Sequence, residues 1–215
     1  SDGGLIMAFV SNGTTILDAG AFSASLGAMV HIKTLTASSS STLSFVDGAS
    51  SVVFDNTYPI YKFEFINIHA GTDQANFQFN GSTNTGSAYN TTKTSNFYYS
   101  YNRGSDGANN FQYDNNRDLA QSTSFQDIAF NSNVDNYSSL SGSLMIFNPS
   151  STTFIKHFIS TINDEAQTSG EQGLSQVNHV AGYMNTTSAV DAIRFQFSSG
   201  NMDTGKIKLY GIKDS

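Results

Sequence analysis

The chain contains no cysteine and no tryptophan, and only two of its 215 residues are proline. The absence of cysteine excludes a disulfide framework, a thiolate metal site and a thiol nucleophile. Charged residues are also scarce, at 13% of the chain against about 25% in ordinary soluble domains. Ser, Thr, Asn and Gly take their place, which predicts a surface of hydroxyls and amides whose stability depends little on salt.

The few charges sum to a net charge of −7 and form no basic stripe, so we expect no binding to nucleic acid. The longest apolar stretches are Leu5–Val10 and Leu144–Phe147. Both are far shorter than the roughly 20 residues of a membrane-spanning helix, so no membrane insertion is expected. The N-terminal Ser-Asp-Gly-Gly shows no secretion signal, which predicts a protein that is not secreted.

What the sequence does contain is a series of short stretches in which apolar and polar residues alternate. The clearest are Ile193–Phe197 and Ile207–Tyr210 near the C-terminus. Their two-residue period predicts half-buried strands. Ser198–Thr204 between them is rich in small polar residues and glycine, which predicts a turn that joins the two strands in a terminal β-hairpin.

Similar strands recur along the chain, and no sustained helical periodicity interrupts them. They are predicted at Leu5–Val10, Thr14–Leu17, Val30–Ala37, Thr42–Phe45, Val52–Phe54, Ile60–His69, Asn76–Phe79, Asn96–Tyr101, Ser124–Phe130, Gly142–Phe147, Thr153–Ile162 and Ser175–Tyr183. Many short strands separated by turn residues predict an all-β fold, an antiparallel sandwich or barrel. Two long polar segments, Asn80–Asn96 and Asn102–Ser124, are predicted as loops.

The first 28 residues differ from the rest. Ser11-Asn12-Gly13 predicts a tight hairpin turn, because Asn-Gly suits the positive φ of a type I′ turn, and small residues fill positions 19–28. We interpret residues 1–28 as an N-terminal arm or docking hairpin and residues 29–215 as the β-sandwich. The alternative is that the first two strands belong to the sandwich.

No motif of a known catalytic class is present, whether a nucleophile elbow, a phosphate loop or a dinucleotide fingerprint. The acids Asp164, Glu165 and Glu171 lie in a polar connection with no aromatic residue nearby in sequence, unlike the facing acids of a glycoside hydrolase. We therefore expect a protein that is not an enzyme and that needs no cofactor.

A metal centre is not expected either. The histidines are isolated, with no pair at a spacing that suits metal binding. Asp114, Asn116 and Asp118 resemble the start of a calcium loop, but Leu119 and Phe125 replace its glycine and its glutamate. This leaves open only a weaker, loop-built calcium site shared with Asp106.

Three tyrosines in the segment between the two long polar stretches have two interpretations. Tyr98, Tyr99 and Tyr101 would form a stacking platform for a sugar, with Asn102 and Asp106 as partners for its hydroxyl groups. These five residues are the candidate glycan or contact surface. Alternatively, the rings fill the core and a subunit contact, where tyrosine is favoured because its hydroxyl stays hydrated.

Three further segments carry a family resemblance. They are Tyr61–His69 followed by Thr72-Asp73, Gly142–Ser150 followed by Phe154–Lys156, and Ala192–Asn201 with Lys206–Ile212. In this order they resemble a family of virion structural proteins of tailed bacteriophages, common among marine phages and often described as tail-fibre-like. The resemblance covers roughly Val30 to Lys213 and leaves residues 1–28 outside.

The resemblance implies a jelly-roll sandwich, in a homo-oligomer (a trimer by analogy), displayed on the particle surface, and it implies no catalytic residues. We therefore expect a non-enzymatic virion protein, assembled in the host cytoplasm and anchored to other capsid or tail proteins through residues 1–28. Its loops would act either in a tail-fibre adhesin that grips host surface glycan or in a capsid decoration protein. The alternative function is a carbohydrate-binding module that uses the tyrosine platform.

Overall fold

The computed structural model describes the backbone of residues 9–11, 14–18, 21–22, 28–168 and 171–214, and the side chains of residues 28–166 and 173–214. Within these ranges the chain forms fifteen β-strands and no helix, which confirms the predicted all-β class. Accordingly, no helix long and apolar enough to cross a membrane occurs in the same ranges. The strands are β1 (Phe9–Ser11), β2 (Thr14–Asp18), β3 (Ala21–Phe22), β4 (Met29–Thr36), β5 (Leu43–Val46), β6 (Ile60–Ala70), β7 (Ala75–Ser82), β8 (Lys93–Arg103), β9 (Asn109–Tyr113), β10 (Gln126–Ser132), β11 (Leu140–Phe147), β12 (Lys156–Thr168), β13 (Glu171–Met184), β14 (Ala192–Phe197) and β15 (Met202–Ile212).

The three N-terminal strands form a small sheet of their own. β1 pairs antiparallel with β2, with Phe9 opposite Leu17, and β2 pairs with β3. In the described part of the chain, none of the three pairs with a strand of the main sheet. The predicted turn at Asn12-Gly13 lies outside the described residues, as does most of the predicted strand Leu5–Val10. The division into an arm and a main domain stays a prediction.

The other twelve strands form one antiparallel sheet that is nearly closed into a barrel. The order along it is β4-β15-β6-β11-β12-β10-β7-β14-β5, and β13, β8 and β9 extend it from β12. β12 is the branch point, because it pairs with β11 and β13 along its length and with β10 only where Ala166 lies opposite Ser132. A bridge between Ser40 and Met202 ties the segment before β5 to the start of β15.

Phenylalanine rings make many of the core contacts, and several of these contacts join strands that face one another without pairing. The ring of Phe195 on β14 lies 5.1 Å from that of Phe63 and 5.2 Å from that of Phe65, both on β6. Phe79 on β7 likewise lies 5.0 Å from Phe158 on β12. All three contacts are edge-to-face, the arrangement that aromatic quadrupoles favour. The apolar side of each strand therefore points into one shared interior.

The predicted C-terminal hairpin is wrong, although both of its strands exist. β14 pairs with β7 and β5, whereas β15 pairs with β6 and β4. The segment Ser198–Asn201 carries the chain across the core instead of reversing it within one pair. Each strand thereby gains two paired neighbours and has no open edge, which satisfies more backbone hydrogen bonds than an isolated hairpin.

The predicted loops and one predicted strand also need correction. β7 continues to Ser82 and β8 begins at Lys93, so the first polar loop is shorter than Asn80–Asn96. The second, Asn102–Ser124, contains β9. Val52–Phe54 is not a strand. Val52 and Phe54 are buried, but the backbone is held by a side chain, since Asp47 Oδ1 accepts from Phe54 N–H at 2.8 Å.

Candidate functional site

One end of the main sheet encloses a cavity of about 210 Å³ between β8, β13 and the end of β10. β8 and β13 run antiparallel there, with Tyr101 opposite Gln176 and Arg103 opposite Leu174. Because side chains alternate along a strand, every second residue of each strand faces the cavity. It is lined by Tyr99, Tyr101, Arg103, Phe130, Asn131, Leu174 and Gln176. We call it the tyrosine cavity.

Neighbouring groups hold the aromatic wall of the tyrosine cavity in place. The rings of Tyr99 and Tyr101 stack with centroids 6.4 Å apart and planes 20° apart. The edge-to-face contact of Tyr99 with Phe130 is closer, at 4.7 Å. The Arg117 guanidinium stacks 4.0 Å from the centre of the Phe130 ring, and the side-chain amide of Gln112 donates to the hydroxyl of Tyr99. This wall is therefore preorganised, which lowers the entropic cost of binding.

Three of the polar side chains that line the cavity have partners or pKa shifts that define their chemistry. Gln176 Nε2 donates to the carbonyl oxygen of Phe130 at 3.1 Å and to Asn178 Oδ1 at 3.1 Å. Arg103 forms an ion pair with Asp106 at 3.2 Å. Burial, followed by the charge of Asp114, raises the pKa of Tyr99, so its hydroxyl stays protonated at physiological pH and keeps its hydrogen-bonding capacity.

The structure divides the five residues of the predicted contact surface. Tyr99 and Tyr101 line the cavity, but Tyr98 lies on the opposite face of the sheet, stacked on His179 at 5.3 Å. Asn102 is exposed and lies on the same face of β8 as Tyr98. Asp106 lies in the β8–β9 turn and approaches the cavity only through its ion pair with Arg103. The three tyrosines do not form one surface, because adjacent strand residues point to opposite faces.

The remaining lining residues were not predicted from the sequence. Phe130 and Asn131 come from β10, and Leu174 and Gln176 come from β13, far along the chain. Only the alternation within β8 held a usable signal, since it separates Tyr98 from Tyr99. Which strands lie beside β8 depends on the sheet order, and that order cannot be read from local sequence patterns.

A buried carboxyl group lies beside Gln176, one of the residues that line the tyrosine cavity. Asp164 on β12 is opposite Gln176 and only 1% exposed. Its Oδ2 accepts from the hydroxyl of Ser132 at 2.7 Å, whereas its Oδ1 has no hydrogen-bond partner among the described residues. Burial raises the pKa of Asp164 to about 7, with a smaller contribution from the charge of Glu165, against the opposing effect of Ser132.

A second buried polar cluster surrounds Lys93 at the other end of β8. Its ammonium group is fully buried and donates to Asn80 Oδ1 at 2.6 Å and to the carbonyl oxygen of Thr91 at 2.8 Å. Asn80 Oδ1 also accepts from Gly81 N–H at 2.8 Å. Burial lowers the pKa of Lys93 to about 7, so neutral and charged forms coexist near physiological pH.

In the segment that resembles the start of a calcium loop, two of the acidic side chains bond to neighbouring residues of the same segment. Arg117 pairs with Asp114 at 3.1 Å and with Asp127 at 3.0 Å, and the hydroxyl of Tyr113 donates to Asp118. Asp106 pairs with Arg103 instead of joining these acids. Among the described residues, no group of three His, Cys, Asp or Glu side chains is placed to hold a metal ion.

Comparisons with protein families, with curated proteins and with solved structures find no match to this chain. The cavity offers flat aromatic rings, side-chain amides and one guanidinium, and its lining includes neither a carboxylate nor an imidazole. Such a lining suits stacking and hydrogen bonding with a polar ligand.

Proposed function

We propose that this chain is a non-enzymatic structural protein of a tailed-phage particle, folded as a jelly-roll sandwich and exposed on the particle surface. In this proposal it binds host surface glycan in the tyrosine cavity, as part of a tail or fibre adhesin. Residues 1–28 dock it to other capsid or tail proteins. The observation that carries the binding role is the preorganised cavity with its aromatic wall and amide groups.

Three of the four family-like strands lie side by side in the sheet. Tyr61–His69 lies in β6, Gly142–Phe147 in β11 and Lys206–Ile212 in β15. These strands are neighbours, since β6 pairs with both β11 and β15. The fourth, Ala192–Phe197, lies apart from them in β14, which pairs with β7 and β5. The phenylalanine contacts between facing strands favour the sandwich form.

The dimensions of the tyrosine cavity define the kind of ligand. At about 210 Å³ it is smaller than the roughly 300–1,000 Å³ of drug-sized pockets, so we expect it to hold a single sugar ring. The apolar face of the sugar would stack on Tyr101, and its hydroxyl groups would bond to Gln176 and Asn131. Hydrolysis would need a pair of acids, and the lining residues include none.

The binding role is tested with a glycan array, followed by calorimetric titration of any glycan that binds. We expect Tyr101→Ala to lower the affinity at least tenfold, because it removes the stacking surface. The matched control is Tyr98→Ala, which truncates a tyrosine on the same strand but on the opposite face, and it should bind like the wild type. A silent array would overturn the glycan role. Loss of binding in Tyr98→Ala alone would place the site on the other face.

The alternative function, a carbohydrate-binding module, uses the same cavity but not the particle. Locating the chain by cryo-electron microscopy on intact particles separates the two functions, because a module would be absent from them. Copy number then separates the structural roles. Hundreds of copies per particle would indicate capsid decoration, and a few tens or fewer would indicate a tail or fibre.

A further inference from the structure

β9 forms an open edge of the main sheet. In the described part of the chain it pairs only with β8, and all five of its residues are exposed. Ala108 and Asp114, which flank the strand, direct their backbone groups towards β8. By the alternation of an antiparallel ladder, Asn109, Phe111 and Tyr113 direct their N–H and C=O groups away from β8.

The side chains of β9 do not protect this edge. Native sheets usually cover an edge or place charges, proline or a bulge on it, whereas β9 reads Asn-Asn-Phe-Gln-Tyr. Phe111 is 69% exposed and Tyr113 is 54% exposed. Phe111 lies 5.7 Å from the ring of Tyr98, so the two strands share an exposed aromatic surface. The N–H of Phe111 is bonded only locally, to Asn110 Oδ1 at 2.9 Å.

We propose that β9 pairs antiparallel with β9 of a second copy of this chain, about a two-fold axis that passes between the two copies of Phe111. The outward backbone groups require a β-strand as partner, and the strand is complementary to itself in this register. Phe111 lies opposite its own copy, and Asn109 lies opposite Tyr113. These are the residues whose backbone groups point outward, so each pair exchanges two hydrogen bonds.

The side chains of β9 also match in this register. On one face, the two Phe111 rings meet at the axis and bury apolar surface that is exposed in the single chain. On the other face, Asn110 lies opposite Gln112, so amides meet amides, as they already do within one chain at 2.8 Å. No charged side chain of β9 opposes a like charge, because the strand carries none.

The pairing would also fix how the two tyrosine cavities of the dimer are placed. A two-fold axis perpendicular to a continuous sheet keeps each face on its own side, so the lining residues of both tyrosine cavities lie on the same face of the joined sheet. Two sites on one side can engage a repetitive glycan surface together and thus bind with avidity. Dimer formation itself does not depend on glycan binding, so the two proposals can fail separately.

The test is the mass of the full chain in solution, measured by light scattering coupled to size-exclusion chromatography. We expect the wild type to have twice the 23.1 kDa of one chain, and Phe111→Lys to have the mass of one chain, because two lysines would face each other at the axis. The matched control is Phe154→Lys, since Phe154 is also 69% exposed but lies outside the strands. A monomeric or trimeric wild type would overturn the proposal, as would a dimeric Phe111→Lys.

Chemical cross-linking tests the same pairing of β9 if the lysine variant fails to fold. The chain has no cysteine, so Phe111→Cys introduces a single thiol, and its Cα lies about 5.5 Å from its copy in a hydrogen-bonded pair. A short bis-maleimide should join most Phe111→Cys chains into dimers at micromolar concentration and leave Phe154→Cys largely monomeric. Equal cross-linking of the two variants would overturn the two-fold pairing.

Discussion

The buried carboxyl group of Asp164 predicts that folding stability falls as pH rises from acid to neutral. In the folded chain the pKa of Asp164 is about 7, against an ordinary value of 3.8. Between these two values the folded chain holds a proton that the unfolded chain has released. The contribution of Asp164 to stability is therefore complete below pH 3.8 and is lost as pH rises through 7.

The size of the effect follows from the same two values. One pKa unit corresponds to about 1.4 kcal/mol, so ionising Asp164 costs the folded chain roughly 4 kcal/mol by pH 8. Structure explains why the cost is high. The group is 1% exposed, only Ser132 donates to it among the described residues, and the nearby acid is Glu165, which repels the charge.

The assay is urea unfolding at a series of pH values from 4 to 8, for the wild type and for Asp164→Asn. The free energy of unfolding of the wild type should fall by roughly 4 kcal/mol relative to that of the variant across this range. Ser132→Ala removes the hydroxyl that favours the ionised form, so the fall should move to higher pH. Parallel curves for the wild type and Asp164→Asn would refute the reasoning, because they would mean that Asp164 binds no extra proton in the folded state.

Three further predictions concern stability, each measured by urea unfolding. Burial lowers the pKa of Lys93 from 10.5 to about 7, so the wild type should become more stable as pH rises from 7 to 10.5. Lys93→Met should not show this rise in stability. A rise of equal size in the variant would contradict the lowered pKa of Lys93. Phe195→Ala should lower the free energy of unfolding by about 3–5 kcal/mol, whereas Phe154→Ala at an exposed site should change it by less than about 0.5 kcal/mol. Similar losses in the two variants would contradict the burial of Phe195 between facing strands. Arg117→Met should lower the free energy of unfolding by about 2–3 kcal/mol, because Asp127 would lose its cationic partner and its side chain is only 12% exposed. An unchanged stability would show that Asp127 does not depend on its ion pair with Arg117.

The strands of the core could be predicted because a strand with one buried face has alternating apolar and polar residues. β6 reads Ile-Tyr-Lys-Phe-Glu-Phe, and its buried positions alternate with partly exposed ones. β14 shows the same pattern around Phe195. The pairing of these strands could not be predicted, because Ser198–Asn201 fits a hairpin turn and a crossing of the core equally well. Only the apolar surface on distant strands decides between the two.

The strands that line the tyrosine cavity were also predicted, but the residues of the site were harder to identify for a different reason. In β13 the buried positions include Gln176 and Asn178, so alternation there does not separate apolar from polar residues. β9 is exposed at all five positions and therefore shows no period at all. Tyr99 and Tyr101 were recognised as functional candidates by residue type, and the alternation within β8 would have added Arg103, whereas Gln176 needed the sheet order. Sequence patterns thus predicted the scaffold better than the site.

The same strands supply the core and the site, and their side chains change character along their length. Towards one end, the inner face of β12 and β13 is apolar, with Phe158, Ile162 and Val180. Towards the other end it becomes polar, with Asp164 and Gln176 in one register pair. The phenylalanine core does not fill that end, so the polar groups must find partners of their own. Asp164 Oδ1 and Asn178 Nδ2 have none among the described residues, and an unpaired buried group costs about 1–3 kcal/mol. Both residues are neighbours of Gln176, which lines the tyrosine cavity, so the polar groups at this end of the sheet are less completely paired than those around the phenylalanine core.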